Sequence, residues 1–143
     1  MGLRRHGLAL GLAVAILVAV ACGSADEASP AGPAIAPDAP VIVTFELNEG
    51  DRFRVLLTER VDIDAARSLL AGVDGPDIPN GRIVHETGVN EGWSWSLDQS
   101  DFEFADVTIE VCDGTPADVE SGELTSDRYC PWSARVVAVE PAP

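Results

Sequence analysis

The chain contains no lysine: all nine of its Lys/Arg positions are arginine. Schiff-base catalysis and lysine general-base chemistry are thereby excluded. Histidine is almost as scarce. His6 lies among the first residues, and His85 is the one ring left for classical base catalysis. Three cysteines, one tyrosine and one methionine complete the list of rare residues. Missing motifs exclude further chemistry. There is no G-x-S-x-G, no phosphate-binding loop, no C-x-x-C, no zinc motif and no EF-hand spacing. Cationic surface is lacking too: 24 carboxylates give a formal charge of −15, which argues against nucleic acid as a partner.

What is present begins with an entry segment. Arg4 and Arg5 precede an apolar run from Leu8 to Ala21, too short to span a bilayer and suited to a signal peptide over residues 1–21. Ala19-Val20-Ala21-Cys22 resembles the bacterial lipobox, with alanine where leucine is commoner at position 19. That resemblance implies a lipidated Cys22 at the mature N-terminus and a membrane attachment through lipid. The alternative is ordinary cleavage and a secreted chain. Residues 22–40, with four prolines and no aromatic, read as a flexible tether. With Cys22 set aside, Cys112 and Cys130 form an even pair in an exported chain, where a disulfide of this span adds about 3 kcal/mol. A thiolate metal site would need more Cys or His ligands than His85 supplies.

Residues 41–140 suit one small domain, with 141–143 as a tail. Alternation predicts strands over Val41–Leu47 and Phe53–Leu57 as a hairpin, then an amphipathic helix within Thr58–Gly72 that Gly72 stops. Asp62 and Asp64 open that helix, facing its macrodipole rather than a metal. Val73–Gly81 reads as loop ending in a tight turn, and Arg82–Glu86 as a short strand carrying His85. Trp93, Trp95 and Leu97 alternate in a further strand. Phe102 and Phe104 have one parity and Val107, Ile109 and Val111 the other, so either a β-bulge near Ala105-Asp106 brings all five into the core, with Glu103, Thr108, Glu110 and Cys112 facing away, or this is a central strand buried on both faces. Thr115-Pro116-Ala117-Asp118 has the form of a capped helix start. Ser121–Arg128 is loop, and Arg135–Val139 a last strand. The fold class is α+β: a mainly antiparallel sheet, foldable into a sandwich, with one packed helix, a short second helix and one disulfide.

Between Trp93 and Trp132 lie all three tryptophans, the tyrosine and ten carboxylates, with no arginine before Arg128. The pairing of Trp93 with Trp95 is either core or a stacking platform for a sugar ring or apolar ligand. Trp93, Trp95, Trp132 and His85 are therefore the candidate binding surface. Asp98, Asp101, Asp106 and Asp113, with Glu103 and Glu110, supply hard oxygen atoms that would suit calcium, against the alternative of a solvated acidic face. His85 or a carboxylate pair is the minimum a small hydrolase would need.

The block W-S-W-x-L-D, F-x-D-x-x-I-E-V-C-D-G-x-P and Y-C-P-W resembles a family of small secreted bacterial domains often labelled calmodulin-binding-like. The resemblance extends over Val41–Glu140 and includes I-P-N-G-R-I. Ser96 stands where that family often has histidine, and the stretch from Val119 to Tyr129 is shortened. The family implies no established activity, and a eukaryotic calmodulin partner does not suit a bacterial lipoprotein. The leading expectation is an exported, lipid-anchored binding module of the cell envelope with a protein or glycan ligand and no cofactor. A calcium-stabilised structural domain and a small hydrolase follow it.

Overall fold

Val41, Val43 and Phe45 alternate along the first strand, β1 (Val41–Glu46), and all three are fully buried. β2 (Arg52–Leu57) returns antiparallel in strict register, pairing Phe45 with Phe53 and Val43 with Val55. The two phenyl rings stack with centroids 5.0 Å apart. The connection closes through Leu47 N–H to the Asp51 carbonyl at 2.9 Å, with Gly50 at φ 90°. The computed structural model describes residues 39–48 and 50–143, which fall in one compact unit. The expected signal peptide, Cys22 and the tether up to residue 38 lie outside the described residues.

Helix α1 (Arg60–Leu70) packs on β6 (Arg135–Pro141). Its buried face is narrower than the apolar spacing suggested. Ile63 and Ala66 are buried, while Val61 and Leu70 face water. The helix ends as expected at Gly72, whose φ of 77° is a conformation that glycine adopts without penalty. Asp64 faces solvent beside Arg60 and Arg67. Asp62 instead turns inward; burial and the repulsion of Glu59 and Glu103 raise its pKa. The favourable helix dipole is outweighed there.

β1 lies between β2 and β6 in one antiparallel sheet, with a register shift in β6 opposite Thr44 and Phe45. The second sheet has β3 (Ile78–Val84) between β4 (Ser96–Ala105) and the two-residue β5 (Arg128–Tyr129). β3 differs from expectation. It begins at Ile78 and runs straight through Pro79-Asn80-Gly81, which the sequence suggested was a turn. Proline is tolerated because β5 pairs only with Gly81 and Arg82, so Pro79 has no neighbour on that side needing its missing N–H.

β4 joins Leu97 to the Phe102 and Phe104 strand but leaves Trp93 and Trp95, expected in a strand, in the loop before it, and the anticipated bulge is elsewhere. Opposite Gly81–Ile83 the partner jumps from Phe102 to Leu97, so the irregularity occupies Asp98–Asp101. Asp98 Oδ1 accepts from the Ser100 amide at 2.9 Å and its hydroxyl at 2.7 Å, which stabilises the bulge. The parity switch lets Trp95, Leu97 and Phe102 all point inward. The two sheets meet through aromatic rings. Trp95 and Tyr129 approach edge-on at 5.3 Å, Phe53 meets both, and Phe45 lies 6.4 Å from Phe102. Each such buried side chain contributes about 1.5–3 kcal/mol.

Helix α2 (Pro116–Ser121) carries the expected capping box. Thr115 Oγ1 accepts from the Asp118 amide, and Asp118 Oδ2 accepts from the Thr115 amide at 2.7 Å. Cys112 and Cys130 are joined, with Cα atoms 5.1 Å apart. The architecture is α+β and mainly β, as the sequence implied.

Candidate functional site

The register of β3 and β4 ends at Ile78 opposite Ala105. Beyond Ala105 the chain has no strand beside it, because β3 has not yet begun. The chain bends out of the sheet at Asp106, is extended at Ile109 and enters a single 3₁₀ turn at Glu110–Cys112. The disulfide and a 2.7 Å bond from the Cys130 amide to the Cys112 carbonyl then pin the chain to β5. Val107, Ile109 and Val111, expected in the core, are therefore on the surface, with 83%, 68% and 62% of their area exposed. No bulge at Ala105-Asp106 turns them inward. Cys112, expected to face away, is the buried residue of this stretch.

Trp132 joins them. It is 49% exposed, and its Nε1 donates to Thr108 Oγ1 at 2.6 Å while its amide donates to Asp113 Oδ1 at 2.9 Å. Val107, Ile109 and Val111 thus form a ridge on a covalently fixed frame, with the exposed Trp132 bonded to the intervening Thr108. Beside it is a depression of about 410 Å³ lined by Val107, Ile109, Val111, Asn80, Asp127 and Arg128. Arg128 is committed elsewhere, donating to Asp101 Oδ1 and Asn80 Oδ1 at 2.9 Å each.

The other residues singled out in the sequence are dispersed. Trp95 is 1% exposed, so it belongs to the core and offers no stacking platform. Trp93 is half-buried against it at 6.3 Å, and its Nε1 donates to the Arg52 carbonyl at 2.9 Å. His85 lies one residue past the end of β3, exposed, rather than within the strand. It borders a separate depression of about 330 Å³ with Ile83, Leu124, Ser126 and Asp127. The Ser126 hydroxyl accepts there from the Arg128 amide at 3.0 Å.

The acidic residues are not gathered either. The Ser100 bonds, with Arg82 behind them, hold the Asp98 carboxyl below the usual carboxylate range. Asp101 sits between Arg82 and Arg128, Glu103 accepts from Asn80 Nδ2, and Asp113 is engaged by Trp132. Asp106 and Glu110 are exposed in the ridge segment. Among the described residues, no three His, Cys, Asp or Glu side chains are grouped so that they could hold a metal ion. No described helix is long and apolar enough to cross a membrane.

Sequence reasoning named Trp132 as candidate binding surface but missed Val107, Ile109 and Val111, because it assigned those three side chains to the core. The polar run Asp98-Gln99-Ser100-Asp101 was the available signal that the parity changes earlier in the chain. No curated protein and no solved structure matches the chain. A family model, the BP-74 N-terminal domain, matches residues 39–143, which span everything described above. The chain belongs to the BP-74 N-terminal domain family.

Proposed function

We propose that the chain is an exported, lipid-anchored binding module of the bacterial cell envelope, and that its contact surface is the ridge of Val107, Ile109, Val111 and Trp132. The observation that carries this reading is the exposure of Val107, Ile109 and Val111 around one depression, on a segment fixed by a disulfide, with the exposed Trp132 bonded to Thr108 of that segment. Contiguous apolar surface of this kind costs solubility, and soluble domains keep it where a partner covers it. A fixed backbone also loses little entropy on binding. Export is supported by the Arg4-Arg5 leader and by the disulfide, which persists in oxidising compartments. Within the family, W-S-W-x-L-D, I-E-V-C-D-G-x-P and Y-C-P-W are proposed as signature motifs that build the frame, through the Trp95 core contact, the bonded cysteines and the start of α2.

The test is retention of envelope proteins and glycans on the immobilised chain, compared with a V107S/I109S/V111S variant. Unchanged circular dichroism and melting must accompany the comparison. Loss of retention in the variant is expected. Retention of the same material by both proteins overturns the ridge as the contact surface.

A further inference from the structure

The ridge differs from an ordinary apolar patch in its backbone and in its charge. Ile109 is extended, at φ −101° and ψ 147°. Among the described residues, the amides of Val107, Thr108 and Ile109 donate to no backbone acceptor. The Ile109 carbonyl is taken by the Cys112 amide at 3.3 Å, but the three amides can donate to the carbonyls of an extended polypeptide laid alongside. The rim is acidic. Asp106 and Glu110 are exposed within the segment, and Asp127 is exposed on the wall of the depression. The nearby cations are already neutralised, Arg128 by Asp101 and Arg82 by Asp98.

These features discriminate between occupants. A second copy would match the apolar side chains but would bring the same carboxylates, in a protein of formal charge −15. Like-charge juxtaposition of that kind opposes association. A membrane surface carrying anionic lipid is disfavoured by the same rim. A positively charged chain gains on both counts. We infer that the occupant of the ridge is an extended, cationic segment of another protein, with apolar side chains against Val107, Ile109 and Val111 and arginine or lysine against Asp106, Glu110 and Asp127. This rests on the ridge being the contact surface, and narrows what covers it.

The test is calorimetric titration of the full chain with a synthetic peptide alternating arginine and valine, at low and high salt. The same peptide with glutamate for arginine is the control. Binding of the arginine peptide is expected, weakened about tenfold or more by the D106N/E110Q/D127N variant and by salt. I109E should abolish it. Equal binding of both peptides, indifference to the D106N/E110Q/D127N variant, or no binding of the arginine peptide overturns the cationic occupant. Those results leave the ridge itself untouched, because envelope retention and its loss in V107S/I109S/V111S are measured separately. Sedimentation of the chain alone that reveals self-association abolished by I109E also overturns it, in favour of a second copy.

Discussion

Trp132 Nε1 donates to Thr108 Oγ1 at 2.6 Å, and this bond holds the exposed indole against the segment whose apolar side chains face water. The ring is thereby tied to the backbone segment that carries the ridge. In T108V the bond is lost while the shape is kept. Stability should fall by about 0.5–1.5 kcal/mol, the net contribution of one hydrogen bond at this half-buried position. The indole should become more mobile, which fluorescence anisotropy at Trp132 would register in a W93F/W95F background. Unchanged anisotropy would mean that the hydrogen bond does not position the ring.

Trp95 has the opposite role. It is buried among Phe53, Trp93 and Tyr129, and its Nε1 has no hydrogen-bond partner. W95A should cost about 3–5 kcal/mol by denaturant unfolding, as for other large aromatic truncations. W95F should cost clearly less, since no hydrogen bond is lost with the indole. A W95F as damaging as W95A would contradict that account.

Gly81 allows β3 and β4 to approach closely. A Cβ there would lie 3.2 Å from Leu97 Cβ and Cδ1 and 3.4 Å from Phe102. G81A should destabilise by about 1–3 kcal/mol through overpacking. A neutral or stabilising G81A in chemical denaturation would show that Leu97 yields.

Asp62 sets a pH dependence of unusual sign. Burial, then Glu59 and Glu103, raise its pKa. Its contribution to stability is fully present below the ordinary carboxylate range, near about pH 4, and is lost as pH rises through the raised folded-state value. Glu46, Asp98 and Asp118 have lowered values and act in reverse, their contributions being lost as pH falls through those values. D62N should therefore raise the denaturation midpoint at pH 7, with the gain shrinking towards pH 3. A variant weaker than the parent at pH 7 would show that the charge is favourable at the helix start.

Calcium tests the acidic block directly. Asp98 and Asp101 are paired with Arg82 and Arg128, and Asp113 with the Trp132 amide. A melting curve with millimolar calcium should overlay the curve with chelator. Saturation at a hundredfold excess over Kd would instead add about 2.7 kcal/mol and displace the curve by several degrees.

Local pattern carried much of the fold. Strict alternation specified β1 and β2, Gly72 stopped α1, Thr115 to Asp118 wrote the capping box, and two cysteines specified their own bond. Each depends on residues close in sequence, or on a pair left once Cys22 is set aside. The aromatic block was legible as important, but which ring is core and which is surface was not. Trp95 and Trp132 carry the same side chain, and only their neighbours separate them. Alternation at Val107, Ile109 and Val111 is likewise the same whether a strand is covered or bare. The tertiary structure decided it through the point where β3 begins: Ile78 is the last partner available, so the chain past Ala105 has nothing to pair with and its apolar side chains meet water.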